Sequence, residues 1–264
     1  MESVLGVLSN VNTRLVILIT TYAVLFLLEN GMPFKKNNRT HLVSNVVLTV
    51  LAALVYFLLS GISLTLLDWG ATNDFGLLRL FDLGTTETLV IAILFLDFWA
   101  AYLNHVTMHH VPAFWRFHSV HHADRMIDVS SAQRQHPLET IYRVFFQTTG
   151  ALILGVPFWM LGVYLLLSAT NAQLEHANIS LPEKAERFLR YFYTTPSTHK
   201  VHHSKVYKES NSNYGNIFSI WDRIFGTYTF VAEPKRIEYG LDYLPDEKQN
   251  NSLRYLFAPS RARE

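Results

Sequence analysis

The sequence contains no cysteine, and only 16% of its 264 residues are charged. The absence of cysteine excludes disulfide frameworks, thiolate zinc sites, iron–sulfur clusters and cysteine nucleophiles. The net charge is +1 and no basic stripe is interleaved with aromatic residues, so no nucleic acid partner is expected. Soluble domains carry about 25% charged residues. The shortage of charge, in a chain that is half hydrophobic, indicates a membrane protein.

Long uncharged runs predict about three transmembrane helices. Residues 42–67 contain no acidic or basic side chain and exceed the roughly 20 residues that one crossing needs. Residues 89–103 are apolar apart from Asp97. Residues 15–28 suffice if the uncharged residues before Arg14 contribute and Arg14 snorkels to the interface. A cleaved signal peptide is a weaker interpretation of this first run, since no basic region leads it and no small-residue cleavage site follows.

The charges of the loops predict the orientation of these spans. The loop at residues 35–39 (KKNNR) is basic, whereas the loop at residues 68–82 is mostly acidic. The positive-inside rule places the basic loop in the cytoplasm, so the third span delivers His105 and the rest of the chain to that side. Residues 144–174 are uncharged but too few for two crossings, which need about 40. If the histidine motifs on either side act together, this run forms a short hairpin that turns near residues 155–157.

The motif H-x-x-H-H occurs twice, in FHSVHHADR at residues 117–125 and in THKVHHSKV at residues 198–206. Histidines at positions i, i+3 and i+4 share one face of a helix. The pair in HVTMH is four residues apart, on a continuation of the third span, and one more histidine follows the predicted hairpin. The candidate ligands are His105, His109, His118, His121, His122, His176, His199, His202 and His203.

A metal centre explains this histidine spacing. Imidazole suits iron, zinc and copper, and two ligands one turn apart can bind one ion. Zinc takes four ligands, or three and a water, so eight or nine histidines are too many for a single ion. Two ions with about four or five histidines each would use the set, and without thiolates two irons are the natural choice. The alternatives are a pH-sensing or chelating cluster, a metal transporter, or a relative that has lost its irons.

Three further histidines receive other interpretations. His41 is interpreted as a structural, hydrogen-bonded residue. His110 points about 100° away from His109 on a helix and is not predicted to be a ligand. His136 has two interpretations: a structural, hydrogen-bonded residue, or, as the favoured one, a hydrogen-bond partner of a ligand or a peripheral ligand.

The combined motifs resemble the fatty acid hydroxylase and sterol desaturase superfamily, integral-membrane oxygenases with a histidine-rich di-iron site. The matching segments are HVTMH, PAFWRFHSVHH, RQHPLE and THKVHHSKVYKESNSNYGNIFSIWDRIFGT, between about residues 96 and 227. Family ligands fall on the eight patterned histidines, with His176 as the ninth. Asn171 and Gln173 lie where some members place another ligand. Val106 stands where many members have arginine, which removes no ligand.

The resemblance implies O₂-dependent oxidation of a lipid C–H bond, giving an alcohol or an alkene. The implied cofactors are two non-haem irons, with O₂ as co-substrate. The chain has no dinucleotide fingerprint and no P-loop, so its electrons are expected from an external reductase with a cytochrome b5-like or ferredoxin-like carrier. Ligand histidines need acceptors for their second nitrogen. The expected acceptors are Asp97 first, and then Glu139, Glu175, Asp124, Asp128 and Asp222.

We therefore predict an all-α integral membrane protein with about three full transmembrane helices, a hydrophobic helical hairpin and a cytoplasmic, helical, histidine-rich cap. The predicted divisions are an N-terminal transmembrane region at 1–90, a catalytic domain at 91–230 and a polar C-terminal tail at 231–264. His121→Ala is predicted to abolish product and lower bound iron, whereas His41→Ala should do neither.

Overall fold

The computed structural model describes residues 2–36, 39–244, 251–257 and 259. No strand occurs among them; one isolated bridge joins Ser204 and Tyr239. The α-helices are α1 (Glu2–Ser9), α2 (Val11–Gly31), α3 (Leu42–Thr72), α4 (Thr85–Leu96), α5 (Asn104–His110), α6 (Pro112–His122), α7 (Pro137–Leu154), α8 (Phe158–His176), α9 (Glu183–Leu189), α10 (Pro196–His202), α11 (Tyr207–Ser210), α12 (Ile220–Ile224) and α13 (Leu253–Phe257). Short 3₁₀ helices occupy Leu77–Leu80, Val129–Gln133 and Pro234–Arg236. The predicted all-α fold is confirmed.

Three helical segments are long and apolar enough to cross a membrane: Val11–Gly31, Leu42–Leu80 and Thr85–His110. Their outward faces are apolar, and Ile19, Phe57 and Leu58 each leave more than three-fifths of their surface exposed. In water such a surface would be unfavourable, whereas lipid chains can cover it. The three predicted spans are confirmed, and their orientation relative to the cytoplasm stays a prediction.

The uncharged run after the first histidine motif forms a helical hairpin with arms α7 and α8, which turns at Gly155 as expected. Its arms have 18 and 19 residues, about 27 and 28 Å at 1.5 Å per residue. Gly155 has φ 78° and packs against the backbone of Gly76, beyond the end of α3. The hairpin is therefore deeper than the short one predicted, because both arms continue past the uncharged run into residues with polar side chains.

The third span changes its winding before it reaches the histidines. Residues Asp97–Leu103 form a π-helix between α4 and α5, and single π turns inside α-helices occur often at functional sites. The buried Asp97 carboxylate accepts hydrogen bonds from the backbone N–H groups of Ile217 and Phe218 (both 3.1 Å) and from the indole of Trp221 (2.9 Å). The expectation that Asp97 accepts a histidine N–H was wrong, since it anchors the C-terminal segment to the span instead.

The helices after the hairpin cover the end of the bundle where α5 and α6 meet. Thr195 caps α10, its hydroxyl accepting from the Thr198 N–H, and Pro196 occupies the first helical position, where a missing N–H costs nothing. Part of the predicted tail also packs here: Tyr239, Leu241 and Tyr255 are buried. The three division boundaries stay predictions.

Candidate metal centre

The structure brings all nine candidate histidines together at this end of the bundle, in two adjacent groups. Within each group, one ligand nitrogen from every histidine lies within 4.8 Å of the others. The five-histidine group is His105, His109, His118, His122 and His202. The four-histidine group is His121, His176, His199 and His203. The membership of the two groups could not be predicted from the order of the motifs, because each H-x-x-H-H copy contributes to both groups.

Helical periodicity explains how the motifs divide. In α6 the neighbours His121 and His122 differ by about 100° in direction, so they enter different groups. The rings of His122 and His203 stack at 4.7 Å between centroids, which places the two groups side by side in one enclosure. His118, His122, His202 and His203 are at most 1% exposed. These four rings are therefore screened from solvent, whereas His105 is only partly buried.

The Nε2 atoms within each group are in direct contact. His105 and His118 approach to 3.1 Å, as do His109 and His122. Two nitrogens bonded to one ion at about 2.0–2.1 Å, with an angle of about 90–110° between the bonds, are separated by roughly 2.9–3.4 Å. The observed spacing is that of ligands around a shared ion.

The four-histidine group contains a triangle of such contacts. The Nε2 atoms of His176, His199 and His203 are separated by 3.1 or 3.2 Å on every side. A neutral imidazole has one N–H, which aims in one direction. Mutual hydrogen bonds cannot satisfy three nitrogens that face a common point, whereas one cation can.

The opposite ring nitrogens determine the tautomers. Nδ1 of His105 contacts the Tyr214 carbonyl at 3.0 Å, and Nδ1 of His121 contacts the Arg134 carbonyl at 3.2 Å. A carbonyl oxygen can only accept, so each Nδ1 carries the hydrogen and each Nε2 presents a lone pair. In the same way, Nδ1 of His176 donates to the Ala172 carbonyl and Nδ1 of His202 donates to the Ser212 carbonyl, both at 2.7 Å.

Opposed lone pairs need a positive charge between them. Nδ1 of His118 contacts the Glu139 carboxylate at 3.1 Å, so the lone pairs of His105 and His118 face each other, as do those of His121 and His176. A proton is a poor bridge here, because burial lowers the pKa of His121 and His199 well below the usual value. The chemistry of the donor set therefore fits a metal cation in each group.

The NYG and WDRIFGT segments have a local role that their sequence alone does not reveal. The Asp222 carboxylate accepts from the N–H groups of Tyr214 and Gly215, both at 2.8 Å, and from the Thr227 hydroxyl. A Cβ at Gly215 would lie 2.6 Å from the Phe218 carbonyl, so only glycine fits the turn. The turn presents the Tyr214 carbonyl to His105.

Sequence reasoning missed the role of Arg134, which lies in the RQHPLE segment. It is fully buried, and its guanidinium donates to the Val120 carbonyl and the Asn45 side chain, both at 2.8 Å. These bonds fix the backbone whose carbonyl accepts from His121. Lys200 was also missed: it is fully buried and donates to the Ala177 carbonyl at 2.7 Å, which ties α10 to the end of α8.

The remaining candidate histidines lie outside both groups. His110 is exposed and contacts the Val106 carbonyl, in keeping with its exclusion. His136 accepts from the Leu138 N–H and so caps α7, which corrects its interpretation as a partner of a ligand or a peripheral ligand. His41 is buried, with Nε2 3.2 Å from the Asp128 carboxylate.

The other polar candidates also have partners away from the metal groups. The Asn171 amide donates to the Asn216 carbonyl, and the Gln173 amide donates to the Leu18 carbonyl. Glu175 lies 3.7 Å from Nδ1 of His199, beyond hydrogen-bond length. Among the expected acceptors, Glu139 contacts a histidine of the metal groups within hydrogen-bond distance. Asp124 and Asp128 are paired with His41 and nearby serines.

Comparison with known proteins assigns the family. The fatty acid hydroxylase family model matches residues 89–227, just over half of the chain. The chain belongs to the fatty acid hydroxylase family. All nine histidines lie inside the matched region.

Several relatives carry names of lipid-modifying enzymes. The chain is 30% identical over 156 residues to ornithine lipid hydroxylase OlsE of Rhizobium tropici, covering 58% of this chain and 45% of that protein. It is 33% identical over 170 residues to human alkylglycerol monooxygenase, covering 62% and 36%. It is 29% identical over 144 residues to a cholesterol 25-hydroxylase-like protein of Danio rerio, covering 54% and 55%. The chain thus spans about a third to a half of the length of these relatives. No solved structure matches. These relatives carry the names of hydroxylases and monooxygenases, which are oxidoreductases.

Proposed function

We propose that the protein is a membrane-bound non-haem di-iron oxygenase that hydroxylates, or desaturates, a C–H bond of a lipid. The observation that carries this proposal is the pair of histidine groups with opposed lone pairs, one cation site in each. With neither thiolates nor carboxylates among the group members, a nearly all-imidazole shell suits iron. The activities printed for the relatives support the reaction class.

The ligands of the proposed irons are the nine histidines, eight of them in the patterned motifs and His176 as the ninth. Bound iron supplies the activation of O₂ that no side chain of the protein can perform. The chain's own residues hold the rings neutral and oriented: carbonyls of Tyr214, Arg134 and Ala172 keep the hydrogen on Nδ1. Such partners keep metal ligands basic and correctly directed.

The substrate proposed is a lipid that reaches the centre from between the spans. The relatives act, by their names, on an ornithine lipid, an alkylglycerol and a cholesterol-like molecule, so a lipid class is what they support in common. Burial of the histidines excludes bulk water from the reacting carbon, which protects an oxidising centre from side reactions.

The two electrons are proposed to come from an external carrier on the cytoplasmic side. A shallow cleft is lined by the basic residues Lys35, Arg125, Lys235 and Arg236, together with Glu238. Tyr239, which also lines this cleft, forms a bridge with Ser204, the residue after the ligand His203. A basic surface favours an acidic carrier through electrostatic steering.

The test is metal analysis of two alanine variants made in protein purified without oxygen. Wild type is expected to hold roughly two irons per chain. His121→Ala removes a member of the four-histidine group, so bound iron should fall and product should be lost. His110→Ala is the matched control, because His110 is exposed and lies outside both groups. Full activity of His121→Ala, or zinc as the sole metal of the wild type, would refute the proposal; zinc alone would favour a transport or storage role.

A further inference from the structure

A cavity lies between the spans and the hairpin, behind the metal centre. It has a volume of about 490 Å³, within the range of ligand pockets, and is bounded by α2, α3, α7, α8 and the 3₁₀ turn Val129–Gln133. Gln135 and Ala172 are among its lining residues, and the part of the cavity that they line is called its inner end. The Ala172 carbonyl accepts from His176, and Gln135 follows Arg134, whose carbonyl accepts from His121. The inner end therefore abuts the four-histidine group.

Two arginines line the cavity. Arg143 is paired with Glu139, whereas Arg14 lies against Gly162, ten residues before Ala172 on α8. The Arg14 guanidinium extends toward α8, where Nη1 donates to the Trp159 carbonyl at 3.4 Å. Among the carboxylate side chains that the structure describes, from Glu29 onward, none lies within ion-pair distance of Arg14. Arginine carries five N–H donors, so this one long hydrogen bond leaves most of its capacity for another group. Arg14 lies one turn into the candidate span Val11–Gly31, where a charged side chain needs a polar partner or access to the interface.

The protein makes room for this guanidinium. A Cβ at Gly162 would overlap Nη1 of Arg14, and the same Cβ would lie 2.6 Å from Cζ. The planar guanidinium thus packs directly against the backbone of Gly162 in α8. Val11 and Leu15, which line the cavity beside Arg14, are each more than half exposed. The cavity is consequently open on this side toward the surroundings of the spans.

We infer that Arg14 binds the acidic group, a carboxylate or phosphate, of the lipid substrate and thereby selects the carbon that is oxidised. Gly162 and Ala172 are ten residues apart on α8, which is about 15 Å along the helix axis. A lipid held at Arg14 would present a carbon of its apolar chain, about that distance from the acid, to the inner end of the cavity. This inference rests on the proposed function and adds the substrate class: an acidic lipid oxidised on its chain, remote from the acid.

The test measures binding rather than turnover. Purified full-length protein in zwitterionic nanodiscs is titrated with a radiolabelled long-chain fatty acid and with the alcohol of the same chain length. Wild type should bind the ionised acid more tightly than the alcohol. In Arg14→Gln the affinity for the acid should fall about tenfold or more, the usual weight of a charged hydrogen bond, while the affinity for the alcohol stays unchanged.

Two further variants separate position from charge. Gly162→Ala keeps Arg14 but displaces its flexible guanidinium, so the preference for the acid should weaken. Arg79→Gln is the matched control: Arg79 is an exposed arginine in the turn that packs on the hairpin tip, and it does not line the cavity. This variant should bind both ligands as wild type does.

Equal binding of acid and alcohol by wild type, or an unchanged preference in Arg14→Gln, would overturn the inference. The inference would also be overturned if Arg14→Gln lost co-purified phosphatidylglycerol but kept the preference for the acid. Arg14 would then bind a bilayer phospholipid and not the substrate. Iron content is determined on the same samples. Two irons without acid preference refutes this inference alone, whereas absence of iron refutes the proposed function.

Discussion

Replacement of Glu139 by glutamine tests whether one metal ion occupies each histidine group. The Oε1 atom of Glu139 contacts Nδ1 of His118 at 3.1 Å and accepts from the Arg143 guanidinium at 2.7 and 2.9 Å. Glutamine keeps an oxygen for His118 but removes the negative charge that makes this ring a stronger ligand. Loss of such a partner typically costs 10–100-fold in metal affinity, which corresponds to about 1.4–2.7 kcal/mol.

The effect should be confined to the five-histidine group, because Glu139 contacts His118 and no member of the other group within hydrogen-bond distance. Iron release is followed by titration with a chelator, and the remaining iron by Mössbauer spectroscopy. We expect one iron of Glu139→Gln to leave at 10–100-fold lower chelator concentration, while the other leaves as in wild type.

The matched control is Glu183→Gln. Glu183 and Arg187 form an ion pair with the same i,i+4 spacing, but both are exposed, and such pairs contribute about 0.3–0.5 kcal/mol. Glu183→Gln should retain both irons with wild-type affinity. The reasoning would be refuted if Glu139→Gln kept both irons equally tightly, or released both together from a folded protein.

Two other substitutions test the packing around the centre. The pKa of His41 is raised, because Asp124 and Asp128 outweigh the burial that by itself would lower it. The ion pair therefore stabilises the folded protein fully at a pH below the unfolded pKa of about 6.5. Its contribution is lost as the pH rises through the folded pKa. His41→Ala should lower the free energy of unfolding by about 3–5 kcal/mol at pH 6, and by progressively less at higher pH, with iron retained. Thermal unfolding at several pH values measures this difference, and a difference that does not change with pH would contradict the assignment. Gly155→Ala should lower the midpoint of thermal unfolding, since φ is 78° and the new Cβ would lie 2.7 Å from the Phe75 carbonyl. Gly61→Ala is the control and should leave the midpoint unchanged, because a Cβ at Gly61 of α3 meets open space. Equal midpoints for the two variants would show that the hairpin turn tolerates a side chain.

Much of the candidate site could be predicted because it depends on local periodicity. Spacings of three and four residues place His118 and His121, or His199 and His203, on one helical face, and the uncharged runs identify the spans. The division into two groups depends on how α6 and α10 approach each other, which is a tertiary property. Periodicity therefore identifies the candidate ligands and separates neighbours such as His121 and His122, but it does not show which ligands from different helices share a group.

The partners of the histidines were harder to predict, because most of them are backbone carbonyls. The sequence shows carboxylates, and so it favoured Asp97, but it cannot show that a π-helix turns Asp97 toward the backbone of Ile217 and Phe218. Likewise the side chain of Arg134 acts by holding its own carbonyl in place. Such roles depend on contacts between segments far apart in the chain.

The most direct test of the central claim is a map of the metal positions. Anomalous diffraction at the iron edge from anaerobically purified protein should show two iron peaks, one within bonding distance of the Nε2 atoms of each histidine group. A single peak, peaks at the zinc edge alone, or metal bound outside the two groups would contradict the account.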